Sequence, residues 1–180
     1  MRKPKVIVII DGSNFYYKLK ELKLPNLSLF DYDGFVSWLT KGEKIIAKYY
    51  CIGKIHAKQE DTKARKMMAS QQSLVTNLQK QSFIIQFGYL LKTNDVYREK
   101  GVDVQIATNI LKGAFKNLYD KAYLLSSDSD LIPAIIEAQS IGKTIIYTGF
   151  KHQPSFALLR TCKKIVLLKK ENILPFFTKS

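Results

Sequence analysis

Four aspartates stand at positions where a metal site could be built. Asp128 and Asp130 follow the apolar run Ala122–Leu125 and precede residues at helical spacing, so they occupy a strand-to-helix turn. Asp11 also ends an apolar run, and Asp103 falls in the first turn of a predicted helix. Ligand sites in open α/β sheets are built at such turns, at the carboxyl ends of strands. We therefore expect Asp11, Asp128 and Asp130 on one rim, with Asp103 within reach.

Gathered carboxylates would need a cation. Two unit charges about 4 Å apart repel by about 4 kcal/mol at an effective dielectric near 20. Oxygen-only ligands on an open rim suit Mg²⁺ or Mn²⁺. Zinc is disfavoured, because the only histidines, His56 and His152, have no cysteine or histidine at ligand spacing. Each aspartate also has a purely structural explanation, either as a helix cap or through the helix dipole.

A carboxylate-held metal that faces a basic surface is the arrangement used for phosphodiester hydrolysis. Asn14, in the turn after Asp11, could orient a water molecule or a phosphate group. An equally good interpretation is that Asn14 only shapes the turn.

The composition indicates a polyanionic partner. Lys and Arg number 29 against 15 Asp and Glu, which gives a formal charge of +14. No segment combines a basic face with a strongly apolar opposite face, so nucleic acid is favoured over a membrane surface. The alternative is a lysine-rich, solvated surface with no specific partner.

The 180 residues predict a single domain, with a core over about 5–168 followed by a basic C-terminal tail. No apolar run reaches the about 18 residues of a membrane span, and the first residues have no signal-peptide layout, so we expect a cytoplasmic protein. Cys51 and Cys162 lie among apolar residues and are expected to be buried without a disulfide. The sequence leaves a homodimer open.

Strands and helices are predicted to alternate, which favours a mostly parallel sheet between two helical layers, a three-layer α/β/α fold. The predicted strands are Lys5–Asp11, Lys44–Ile52, Phe83–Leu91, Ala122–Leu125, Lys143–Thr148 and Lys164–Leu168. Six helices are predicted. The first follows Asp11, the last begins after Pro154, and the others cover Phe30–Leu39, Lys63–Lys80, Val102–Leu118 and Leu131–Ala138. Polar loops are predicted at Pro25–Ser28 and Lys92–Lys100. Trp38, Met67, Met68 and Leu118 are expected to be buried.

Basic residues in the predicted rim loops are candidates for the substrate path. They are Lys54, His56, Lys58, Lys92, Arg98, Lys100 and Lys151, with Tyr97 and Phe150 as candidate stacking surfaces. A lysine in a loop is more often solvated cover than a ligand.

Three short motifs resemble those of the NYN family, relatives of the PIN-domain nucleases. They are Asp11-Gly12-Ser13-Asn14, Lys100-Gly101-Val102-Asp103 and Ser126-Ser127-Asp128-Ser129-Asp130-Leu131, within a resemblance that spans Val6 to Leu168. The family usually has Gly at the positions of Ser127 and often of Ser129, and Phe at that of Leu131, but every acidic position is kept.

The resemblance implies a PIN-like, Rossmann-like α/β/α fold and a metal-dependent ribonuclease that cleaves RNA as an endonuclease. It implies metal ligation by Asp11, Asp103, Asp128 and Asp130, with Asn14 as a further catalytic residue. The substrate contacts predicted beside them are Ser13, Asn14, Ser127, Ser129, Lys54, Arg98, Lys100 and Lys151.

Other classes fit less well. A haloacid-dehalogenase-like phosphatase needs Asp where Ser13 stands, a metal-dependent adhesion domain needs Ser where Phe15 stands, and a receiver domain needs acids where Ile9 and Ile10 stand. The main rival is a non-catalytic RNA-binding or regulatory protein on the same fold, since activity does not follow from fold. The complete set of acids favours the enzyme, because unpaired carboxylates would weaken binding of a polyanion.

Overall fold

The apolar run after Lys5 forms the central strand of the sheet. In the computed structural model, which describes residues 2–24, 30–55, 61–93 and 96–177 but not the side chains of residues 90–99, strand β1 covers Lys5–Asp11. Val6 to Ile10 are buried, because parallel strands flank β1 on both sides and helices cover both faces. A continuous apolar run without alternation is the pattern that such a strand requires.

The remaining elements alternate as predicted, with two additions, a strand at Val96–Lys100 and a helix at Lys170–Ile173. The other strands are β2 (Lys44–Lys54), β3 (Ile84–Thr93), β4 (Val96–Lys100), β5 (Lys121–Leu125), β6 (Thr144–Phe150) and β7 (Lys164–Leu168). The helices are α1 (Gly12–Glu21), α2 (Tyr32–Leu39), α3 (Thr62–Lys80), α4 (Val102–Phe115), α5 (Ile132–Ser140), α6 (Phe156–Thr161) and α7 (Lys170–Ile173). Short 3-10 turns cover Ser129–Leu131 and Leu174–Phe176.

The sheet order is β4-β3-β2-β1-β5-β6-β7, and every neighbouring pair is parallel except β3 with β4. Without β4, this is the doubly wound order: β1 to β3 are added outward toward one edge of the sheet, and β5 to β7 outward toward the other. The order reverses between the two central strands. Here those strands are β1 and β5. The carboxyl ends of β1 and β5 therefore flank the crevice in which doubly wound folds bind ligands.

Two buried clusters, one on each face of the sheet, confirm the three-layer fold. Phe15 of α1, Phe35 of α2 and Leu78 of α3 belong to the first cluster. The second cluster takes in Ile106 of α4 and Ile135 of α5.

The segment Lys92–Lys100 was predicted to be a loop, but most of it forms a hairpin. Thr93 pairs with Val96 and Tyr89 pairs with Lys100, which makes β4 an antiparallel edge strand. The loop prediction was wrong because an edge strand with one open side does not need the apolar residues that mark a buried strand.

Several apolar side chains that were predicted to be buried are exposed: Trp38, Met67, Met68 and Leu118. Met67 and Met68 lie on the outer side of α3, which buries only Ala64, Val75 and Leu78. A helix that covers the outer strands of a sheet needs only a narrow apolar stripe, so the broader stripe in the sequence over-predicts burial.

The residues after Leu168 extend the core. Ile173 is fully buried in the first cluster, and Phe176 O accepts a hydrogen bond from Asp31 N at 2.7 Å. Phe177 forms an isolated antiparallel bridge with Phe30. Cys51 and Cys162 are both buried, as expected. The predicted loop Pro25–Ser28 lies outside the described residues. Among the helices of the described residues, none combines the length and apolar character that crossing a bilayer requires.

Candidate metal and nucleic-acid site

Asp11 is the buried centre of the site. It is the last residue of β1 and the N-cap of α1, and its side chain is only 9% exposed. Its Oδ1 accepts a hydrogen bond from Asn14 N at 3.0 Å, and its Oδ2 accepts one from Ser126 Oγ at 2.9 Å. These two bonds hold the Asp11 carboxylate at the carboxyl end of β1.

Ser126 joins the ends of the two central strands. Its hydroxyl is buried, donates to Asp11, and accepts a hydrogen bond from Asp128 N at 3.2 Å. The turn after β5 is thereby fixed beside the end of β1. The sequence places Ser126 in the acidic motif but predicts no separate role for it. The signal was available, since a serine that ends an apolar strand must find partners when it is buried.

Asp128 has the capping role that the sequence allowed for. Its Oδ1 accepts a hydrogen bond from Asp130 N at 2.9 Å, at the start of the Ser129–Leu131 turn. Asp128 is half-buried, whereas Ser129 and Asp130 are exposed. Oδ1 of Asp128 therefore caps the Ser129–Leu131 turn.

Asp103 lies in the first turn of α4, half-buried. Helix α4 packs against β1 and against the Ser129–Leu131 turn, which brings its N-terminus to the same edge. The close approach of α4 to β3 depends on Gly88, where a Cβ would lie 2.6 Å from both Lys100 O and Val102 Cγ2. A side chain at position 88 would therefore displace the start of α4.

The donor atoms suit a hard divalent cation, but the described residues contain no group of three or more Asp, Glu, His or Cys side chains that could hold a metal ion. Asp11 and Asp128 are the pair that the hydrogen bonds connect. Mg²⁺ commonly binds through one or two carboxylates, with waters and substrate phosphates completing its shell. Ser127 Oγ, next to Asp128, is buried and has no hydrogen-bond partner in the described part of the chain. A two-carboxylate site completed by a phosphate thus fits these residues.

Lysines line the same edge of the sheet. Lys54 is the last residue of β2, Lys100 ends β4, and Lys151 follows β6, all with exposed side chains. The side chains of Lys92, Tyr97 and Arg98 lie outside the described part, as do residues His56 and Lys58.

A polar network holds the Lys151 segment against α1. Lys18 of α1 is buried and contacts Gln153, and its Nζ lies 3.5 Å from Glu21 Oε2. The same Glu21 oxygen lies 2.9 Å from His152 Nε2, and this hydrogen bond lowers the pKa of the Glu21 carboxyl. The loop after β6 is therefore fixed to the helix that follows Asp11.

Phe150 was predicted as a stacking surface, and this was wrong. It is 3% exposed, and its ring packs 5.9 Å from that of Phe15, centroid to centroid. Tyr89, which the sequence analysis did not select, is 70% exposed instead. Tyr89 could be recognised only from the pairing of β3 with β4, because that pairing sets Lys100 beside it. The prediction of a loop at Lys92–Lys100 left this pairing out.

The sequence model of the NYN domain family matches residues 5–169, nearly the whole chain. The protein therefore belongs to the NYN domain family, a family of nuclease type. This match confirms the resemblance carried by the three acidic motifs. No curated protein matches the chain.

The solved structures that resemble this chain include a Vibrio protein and a 5′-exonuclease. A crystal structure of a protein of unknown function from Vibrio parahaemolyticus has a TM-score of 0.70 at 20% identity and covers 95% of this chain and 98% of its own. A structure of T5 5′-exonuclease with bound zinc has a TM-score of 0.40 at 17% identity, covering 72% of this chain and 51% of its own. The Vibrio structure shows that the same fold recurs over the full length.

Proposed function

We propose that this protein is a metal-dependent ribonuclease that cleaves RNA internally at the Asp11–Ser126–Asp128 edge. One observation carries the proposal: in a chain of the NYN family, the switch point of the sheet holds a buried carboxylate whose hydrogen bonds tie it to a second acidic turn. The formal charge of +14 suits a polyanionic substrate.

Asp11 and Asp128 would hold Mg²⁺ or Mn²⁺, with Asp103 and Asp130 as the further ligands that the family resemblance implies. When bound, the ion would supply a more acidic water and neutralise charge on the phosphate. Ser126 keeps the Asp11 carboxylate in place through its hydrogen bond. Asn14 would orient a water or a phosphate oxygen.

The substrate contacts fall into two groups. Ser13, Ser127 and Ser129 lie next to the acids, and the unpartnered hydroxyl of Ser127 could donate to a phosphate oxygen. The cations Lys54, Lys100 and Lys151 would contact the RNA backbone, and Arg98 is a further cation that the sequence predicts for this role.

A non-catalytic RNA-binding protein is the second candidate. It is favoured by the finding that no three acidic, histidine or cysteine side chains of the described residues form a metal-binding group. If this candidate is right, the acids serve only as caps, and the lysines would bind RNA without cleavage.

The test is cleavage of labelled single-stranded, hairpin and double-stranded RNA by purified protein with Mn²⁺, Mg²⁺ or a chelator. We expect cleavage with either metal and none with the chelator. Asp11→Asn should abolish cleavage because the amide cannot replace a charged ligand.

Glu137→Gln is the matched control. It also removes one carboxylate, but from the exposed side of α5 away from the acidic turns, and should cleave at the wild-type rate. Binding without any cleavage by the wild type would support the non-catalytic candidate instead.

A further inference from the structure

Tyr89 stands between two lysines on neighbouring strands. In the register of the sheet, Lys54 of β2 is paired with Tyr89 of β3, and Tyr89 is paired with Lys100 of β4. Directly paired residues project to the same side of a sheet. Tyr89 is therefore flanked by one lysine on each neighbouring strand, and all three side chains are exposed.

A second ring lies on the same face. Phe87 is two residues before Tyr89, so its side chain projects to the same side of β3, and it is 41% exposed. Lys54 Nζ lies 5.8 Å from the centroid of the Phe87 ring. This end of the sheet thus presents two aromatic rings together with two cations.

The surface lies close to the proposed active site. Tyr89 is two strand spacings from Asp11 and three residues further toward the carboxyl ends, about 10 Å in each direction. Its ring also borders Gly101, where a Cβ would lie 3.7 Å from Tyr89 Cδ2. Gly101 is the N-cap of α4, two residues before Asp103. A strand of RNA that crosses the ring could continue to the acids within a few nucleotides.

We infer that Tyr89, Lys54 and Lys100 form a stacking platform for an unpaired nucleotide of the RNA, an inference that rests on the proposed function for its substrate class. An exposed ring stacks on any base, and the flanking ammonium groups contact the phosphates on either side. A base within a duplex has no free face for such stacking, so the platform selects single-stranded RNA.

The experiment measures binding without cleavage. Fluorescence anisotropy with a short labelled oligouridylate, in the presence of chelator, gives the Kd of the wild type, Tyr89→Ala and Tyr89→Phe. Loss of one base–aromatic stack should weaken binding by about five- to 150-fold in Tyr89→Ala. Tyr89→Phe keeps the ring and should bind like the wild type.

Phe156→Ala is the matched control, since Phe156 of α6 is 72% exposed but belongs to a helix on the other face of the sheet. It should bind as tightly as the wild type. A blunt duplex of equal length should bind Tyr89→Ala and wild type alike. The inference is overturned if Tyr89→Ala binds oligouridylate as tightly as wild type, if Phe156→Ala loses as much, if the duplex is affected equally, or if the wild type binds no RNA.

The experiments distinguish failure of the platform proposal from failure of the ribonuclease proposal. Tyr89-dependent binding by a wild type that never cleaves with metal would remove the proposed ribonuclease activity and leave the platform intact. Cleavage by Tyr89→Ala with an unchanged KM would remove the platform and leave the proposed ribonuclease activity intact.

Discussion

At the scale of single residues, the site depends on a hydroxyl rather than on its acids alone. Ser126 is the shared partner of the Asp11 carboxylate and the Asp128 amide, and it is buried with both contacts. The carboxyl ends of β1 and β5, which are far apart in the sequence, are thereby held next to each other. The acids could be found from the sequence because their positions at strand ends are visible. The connection between them could not, because it depends on which strands are neighbours.

Ser126→Ala tests this connection. It removes the hydrogen bond that Ser126 Oγ donates to Asp11 and the one that it accepts from Asp128 N, so the free energy of unfolding should fall by about 1–3 kcal/mol. Urea unfolding followed by circular dichroism measures the change, and RNA cleavage should fall with it. Ser140→Ala removes an exposed hydroxyl that donates to Glu137 O and should change stability by less than about 0.5 kcal/mol. Equal stabilities for the two variants would show that Ser126 does not support the site.

At the scale of elements, the sequence predicted all six parallel strands, including the edge strand β7, and missed the antiparallel edge strand β4. Continuous apolar runs such as Val6–Ile10 leave few alternatives to a central parallel strand. Val96–Lys100 carries Tyr, Arg, Glu and Lys, and only its pairing with β3 makes it a strand. That pairing also places Lys100 opposite Tyr89, so the missed strand hid the proposed nucleotide platform.

The start of α4 offers a test at this scale. Gly88→Ala would place a methyl group 2.6 Å from Lys100 O, so the N-terminus of α4, with Asp103, must shift. We expect a loss of about 1–3 kcal/mol in stability, as for other overpacked sites, and a lower kcat/KM for RNA cleavage at temperatures where the variant remains folded.

Gly142→Ala is the control for this change. Position 142 has a φ of +85° with no atom within 4 Å of an added Cβ, and it precedes β6 at the opposite edge of the sheet. It should lose stability through backbone strain alone and keep its kcat/KM. If Gly88→Ala keeps kcat/KM as well, the position of Asp103 does not matter for cleavage.

At the scale of the whole molecule, the net charge of +14 should make RNA binding strongly salt-dependent. Each phosphate contact to single-stranded RNA contributes about 0.7 to the slope of log K against log salt concentration. Lys54→Ala should lower that slope by about this amount, measured by anisotropy at several salt concentrations. Lys116→Ala removes the same charge at the far end of α4 and should leave the slope unchanged. An unchanged slope in Lys54→Ala would place Lys54 outside the binding surface.

We propose that the acidic edge at Asp11 and Asp128 cleaves RNA. The most direct measurement compares wild type and Asp128→Asn for both cleavage of single-stranded RNA with Mn²⁺ and binding of the same RNA with chelator. The amide can still accept the capping hydrogen bond from Asp130 N but removes the charge. We expect the variant to bind RNA as tightly as the wild type and to cleave none of it. Cleavage by Asp128→Asn at the wild-type rate would contradict the proposal.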